Sequence, residues 1–200
     1  GGSLTDLREG LAFSYGNRTV RTILLLGSIS YLTFGMFGAL EPLFFRDSLG
    51  VGVEMIGYAN AVFGVGLLGG TVAYARVGHR MTSAWSAGLV SLASGLGAAL
   101  YTGTTSLTVV FAGALAWGTV LGALLPLVRT LAQRAAPRRL VGRVMGVLNM
   151  HGQAGDLVPL LFAPALASAF GAQATLVGAG VVAAVLAAAM LPACARLDAS

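Results

Sequence analysis

Six long apolar runs dominate the chain, over residues 22–45, 55–75, 82–101, 107–128, 144–170 and 174–191. Each approaches the ~20 residues that a helix needs to cross the hydrocarbon core of a bilayer. The joints between them, 46–54, 76–81, 102–106, 129–143 and 171–173, are short and polar or glycine-rich. None of the runs shows the alternation over about ten residues that marks a barrel strand. The pattern therefore predicts an all-α membrane protein with six transmembrane helices. Ahead of the first run, Leu4, Leu7, Leu11 and Tyr15 fall on one helical stripe. This predicts an amphipathic segment lying on the membrane surface, with a frayed linker as the alternative. The chain divides accordingly into a lead-in segment over 1–20 and a six-helix bundle over 21–200.

The runs repeat. Glu41-Pro42-Leu43 closes the first span as Leu125-Pro126-Leu127 closes the fourth, with Gly38 and Gly122 equally far ahead of the prolines. Ile56-Gly57-Tyr58-Ala59-Asn60 in the second span parallels Met145-Gly146-Val147-Leu148-Asn149 in the fifth. The offset grows from 84 to 89, so the second copy has a loop five residues longer. Spans one to three thus read as a repeat of spans four to six. An odd number of crossings per copy makes the two copies inverted in the membrane, a mark of secondary transporters.

Charge sets the expected orientation. All twelve basic residues are arginine. Eleven of them, Arg8, Arg18, Arg21, Arg76, Arg80, Arg129, Arg134, Arg138, Arg139, Arg143 and Arg196, fall on one side of the predicted topology, and only Arg46 on the other. Positive residues stay inside, so both termini are expected to be cytoplasmic. This bias accounts for the net charge of +5 without a nucleic-acid partner. Composition agrees: 56% hydrophobic and 10% charged residues, against about 25% charged in a soluble domain, exclude a soluble enzyme, a disordered chain and a disulfide-stapled secreted domain. The wealth of Ala, Gly and Val, with arginine and no lysine, reads as a genome of high GC content, so a bacterial source and its cytoplasmic membrane are expected. The opening Gly1-Gly2-Ser3 reads as a cut from something longer or an expression scar, and no signal peptide is expected. Cys194 is the only cysteine, so neither a disulfide nor a metal cluster is expected within the chain, and no cofactor is called for.

Polar residues inside apolar spans are the functional candidates. Asp156 lies near the middle of the fifth span, and at 100° per residue Asn149, Gln153 and Asp156 fall within about 60° of one another. Such a stripe is expected to face a cavity or a partner helix, and a carboxylate there can carry protons or touch substrate; a structural carboxyl between helices is the alternative. His151 lies about 160° from Gln153 around the helix, which favours a packed, hydrogen-bonded histidine over a relay with Asp156. In the first span Ser30, Phe34, Phe37, Glu41 and Phe45 share a stripe, where a carboxylate beside aromatic rings can attract a lipophilic cation. The alternative for Glu41 is snorkelling to the interface or pairing with Arg46. Pro42 is expected to bend this helix. Trp117 is central in the fourth span and is expected to face the bundle, whereas Trp85 reads as an interfacial anchor. Gly66 with Gly70, and Gly118 with Gly122, are spaced for helix contact.

Three motifs carry a resemblance. Leu7-Arg8-Glu9-Gly10-Leu11 followed by Asn17-Arg18-Thr19-Val20-Arg21 resembles the segment before the seventh helix of bacterial efflux proteins of the major facilitator superfamily, the branch that includes drug, macrolide and siderophore exporters. Arg76-Val77-Gly78-His79-Arg80 resembles the tail of the superfamily's cytoplasmic loop motif, with Ala75 where the motif has Asp. Gly142-Arg143-Val144-Met145-Gly146 resembles the entry to the eleventh helix of the same branch. The resemblance implies the C-terminal six-helix half of such a transporter, with Arg76, Gly78 and Arg80 as its loop motif. It further implies alternating access, with substrate held between this half and a missing N-terminal half or a second copy. The function expected is proton-coupled efflux of a small lipophilic substrate. Two alternatives stand beside it: a non-transporting membrane scaffold, and a six-helix intramembrane serine protease echoed by Ser94-Gly95 and His151.

Overall fold

The computed structural model describes residues 3–199, and every regular element among them is helical. A short helix α1 (Ser3–Gly16) precedes six long ones: α2 (Arg18–Leu43), α3 (Val53–Val77), α4 (Ala84–Thr102), α5 (Leu107–Ala135), α6 (Val141–Phe170) and α7 (Ala172–Asp198). Helices α2 to α7 are each long and apolar enough to cross a membrane, and they coincide with the six predicted spans.

The boundaries differ from the expectation at two joints. The joint expected over 129–143 shrinks to 136–140, because α5 continues to Ala135 and α6 starts at Val141. Arg129, Arg134 and their Ala, Leu and Gln neighbours are good helix formers, so the helix outlasts its apolar stretch. At the other joint, the chain beyond Pro42 stays helical to Ser48 in a widened turn, in which Leu49 N donates to Phe44 O at 3.1 Å. Proline removes one backbone donor, and the helix answers by widening after it.

The starts of α2 and α4 are capped by side chains. Asn17 accepts from Val20 N at 3.0 Å at the start of α2, and Ser83 accepts from Ser86 N at 3.1 Å at the start of α4. Asp198, the last residue of α7, reaches the same α4 terminus and accepts from Ala84 N at 2.8 Å and Trp85 N at 2.9 Å. A carboxylate there satisfies two orphan amides and meets the positive end of the helix dipole.

The packing has the symmetry that the repeat calls for. Helix α2 lies against α6 as α5 lies against α3, α7 meets α2 as α4 meets α5, and α4 packs along α7. Exchanging the first three spans with the last three maps these contacts onto one another, while α2 also meets α4 and α6 meets α7 without a like counterpart. Small residues set the closeness. Gly66 and Gly70 of α3 face the carbonyls of Leu115 and Thr119, while Gly118 and Gly122 of α5 face those of Phe63 and Leu67. A Cβ at any of the four would collide with the facing backbone. Without a hydrophobic drive between helices in lipid, this contact is what holds them. Thr71 adds a hydroxyl bond to Gly122 O at 3.1 Å. Gly35 and Gly155 make the equivalent approach between α2 and α6. The core is built on Phe44, Phe45, Tyr101, Trp117 and a set of leucines, and α3 and α6 are the least covered of the six membrane helices.

Helix α1 lies along the start of α6. Its buried side is Gly10 and Ser14, while Leu7 and Leu11 are half-covered and Tyr15 is exposed. The side chain of Leu4, part of the expected stripe, lies outside the described residues.

Candidate functional site

Asp156 of α6 and Glu41 of α2 are carboxylates within membrane helices, joined by a chain of aromatic rings. Asp156 lines a cavity of about 150 Å3 between α2, α3, α5 and α6, together with Ser30, Tyr31, Phe34 and Phe63. The close approach of Gly155 to Tyr31 and Gly35 places it there by bringing the α6 backbone against α2. Asp156 has no hydrogen-bond or ion-pair partner among the described residues. Asn149 and Gln153 are exposed on the same helix, as Asp156 is. The polar stripe thus lies on an exposed side of α6, with Asp156 at its border with α2 on the edge of the cavity.

From that cavity the rings run inward. Phe34 stacks on Phe63 with centroids 6.1 Å apart and lies 6.2 Å from Trp117. Trp117 is 2% exposed, and its Nε1 donates to Ser94 Oγ at 3.2 Å. Phe63 and Phe37 flank it at 5.3 and 4.3 Å, and Phe37 stacks on Tyr101 at 5.6 Å. Gly97 and Gly113 make room, the first against Trp117 and the second against Tyr101. Aromatic pairs at these separations add about 0.5–1.5 kcal/mol each beyond area burial.

The chain of rings ends at Glu41. Tyr101 OH donates to Glu41 Oε1, and Asn60 Nδ2 donates to Oε2 at 3.3 Å. Glu41 therefore ties α2 to α4 and α3. This corrects the alternative that paired it with Arg46, which instead binds its neighbour Asp47 at 2.6 and 3.0 Å. The short spacing between Arg46 and Asp47 makes a local fork–fork pair easier than a reach back along the helix.

The other candidates fall elsewhere. His151 bonds Ser28 Oγ at 2.5 Å and Tyr15 OH at 2.8 Å, a packed histidine linking α1, α2 and α6. Ser94 serves Trp117 and His151 serves Ser28 and Tyr15, so the serine–histidine pair of the protease alternative is not assembled. Gly78 is buried against the ring of Tyr74 in a short helical turn, with Arg76 and Arg80 exposed beside it. Trp85 is exposed near its helix end. Sequence reasoning missed Tyr101 and Asn60 as partners of Glu41, Phe63 as the ring between Phe34 and Trp117, and the ion pairs of α1. Asn60 stood out only as a marker of the repeat, and Tyr101 only as the end of a span.

A bundle of six membrane helices in two inverted triplets is the architecture of a class of membrane transport protein. The sequence model of the Major Facilitator Superfamily matches residues 23–198. The chain belongs to that superfamily of transporters. It is 30% identical over 203 residues to "Multidrug efflux pump Tap" of Mycobacterium tuberculosis (strain ATCC 25618 / H37Rv), and equally to the protein of that name from Mycobacterium bovis (strain BCG / Pasteur 1173P2). The matches cover 98% of this chain and 47% of each relative, so the chain spans about half the length of the relatives it resembles.

Proposed function

We propose that this chain is one half of a secondary exporter that moves a small lipophilic molecule outward by alternating access, driven by the proton gradient. The observation that carries the reading is Asp156, a carboxylate at membrane depth opening on an aromatic-lined cavity with no partner among the described residues. A carboxyl group so placed is costly, about 2.5–3.5 kcal/mol on insertion scales, and it is suited to loading and releasing a proton or meeting a cationic substrate. Glu41 is the second coupling candidate, with Phe34, Phe37, Trp117, Asn149 and Gln153 as the surrounding contacts. The relatives' name, a multidrug efflux pump, supports export of more than one compound.

The uncovered sides of α3 and α6 support a partner half there, either a preceding six-helix half or a second copy of this chain. The arginine bias supports cytoplasmic termini, a cytoplasmic lead-in over 1–20 and a cytoplasmic loop carrying Arg76, Gly78 and Arg80, all in a bacterial inner membrane. The test is reconstitution of the full protein in proteoliposomes loaded with a lipophilic fluorescent cation. An imposed pH gradient should drive dye movement that a protonophore abolishes. Dye movement that ignores the gradient would contradict proton coupling, and none at all would favour the scaffold.

A further inference from the structure

Helix α1 is fixed to α6 by polar contacts quite unlike those that hold the membrane helices to one another. Arg143, in the first turn of α6, binds two carboxylates of α1: Asp6 at 2.6 Å, and Glu9 through its other terminal nitrogen. Arg139 adds a longer contact to Glu9 at 3.5 Å. One turn along α1, Gly10 lies against Arg143, so that a Cβ on it would stand 3.1 Å from the Arg143 Cβ. Ser14 is wholly buried and its hydroxyl has no hydrogen-bond partner among the described residues. Tyr15 ends the contact at His151, which is itself bonded to Ser28 of α2.

The spacing of these residues puts one side of α1 along two turns of α6. The contact is small, since only Gly10 and Ser14 are fully buried, Leu11 and Phe13 are half-covered against the core, and the ion pairs are a third to a half exposed. Pairs of that exposure each contribute little, because solvent screens them and long side chains must be ordered to make them. A segment held this way belongs to the least stable part of a fold and opens before the rest. The glycine-mediated contact of α3 with α5 has no such weakness. Helix α6, moreover, carries Asp156 and is among the least covered of the membrane helices.

We propose that α1 is a releasable strap: the Asp6–Glu9–Arg143 pairing holds the start of α6 in the arrangement seen here, and the strap opens each time α6 moves in the transport cycle. The second clause rests on the transport reading; the first does not.

The experiment has two arms, both on the full protein with Cys194→Ala. In the first, Ser14→Cys is labelled with a water-soluble maleimide. Because the Ser14 hydroxyl has no partner, the thiol costs no hydrogen bond. Arg143→Glu should raise the labelling rate roughly tenfold, and adding Asp6→Arg with Glu9→Arg should restore the slow rate. Equal rates in the parent and Arg143→Glu proteins would overturn the strap. In the second arm, Gly10→Cys with Arg143→Cys is oxidised to a disulfide. Locked protein should lose export about tenfold or more and regain it on reduction. Full export by locked protein would overturn the proposal. Absence of export even from the parent would instead overturn the transport reading, and the labelling ratio would still decide the strap.

Discussion

Adjacent glycines in α3 should respond in opposite ways to the same substitution. A Cβ added to Gly69 meets nothing within 4 Å, whereas one added to Gly70 collides with the Thr119 carbonyl oxygen and stands 2.8 Å from its carbon and 3.1 Å from Ala123 N. Gly69→Ala therefore gains only the helical preference of alanine, roughly 0.5–1 kcal/mol. Gly70→Ala has the same preference, but backbone cannot yield as a flexible side chain does, so α3 and α5 must separate. Overpacking of this kind costs about 1–3 kcal/mol, and the separation also loosens Phe63 from Trp117. The shared preference cancels, so the two variants should differ by about 1–3 kcal/mol, which corresponds to about 2–12 °C in melting temperature for a chain of this size. The assay is thermal denaturation of the detergent-solubilised protein, followed by the fraction remaining monodisperse. If Gly70→Ala melts at or above Gly69→Ala, the backbone approach of α3 to α5 is wrong, and with it the placement of Phe63.

Tyr101→Phe should lower stability by about 1–2 kcal/mol, because it strips a charge-assisted bond from Glu41 and leaves Asn60 alone; the same melting assay reads it, and an unchanged melting point would refute the bond. Asp198→Ala should cost roughly 1 kcal/mol by uncapping α4, and the adjacent Ala199→Gly serves as the silent control. For topology, a cysteine at Thr104 in intact cells should react with an impermeant reagent added outside, and one at Arg138 should not; outside labelling at Arg138 would invert the orientation.

What the sequence made legible follows from distance along the chain. Hydropathy over ~20 residues is a local signal, so all six spans could be read, and a spacing of four made the Gly66–Gly70 and Gly118–Gly122 contacts readable in kind. The polar stripe of Asn149, Gln153 and Asp156 followed from helical periodicity alone. Partners distant in sequence did not. Glu41 finds Asn60 and Tyr101 at separations of 19 and 60 residues, and nothing in a single chain singles those residues out. Arg143 finds Asp6 across 137 residues; its arginine was read through orientation, where any cation on that side counts equally. Arg129 and Arg134 misled in a different way, because charge was taken to end a helix whose propensity carried it on to Ala135.

The central claim is that Asp156 couples protons to export, and one substitution isolates it. Asp156→Asn keeps the shape and most of the hydrogen-bonding capacity but cannot titrate. The measurement is proton-gradient-driven efflux by the full protein, normalised to the amount in the membrane. The Asn variant should reach normal membrane levels and still bind substrate, with active efflux reduced by about two orders of magnitude, as for loss of a proton-transferring group. Efflux at the parent rate would contradict it.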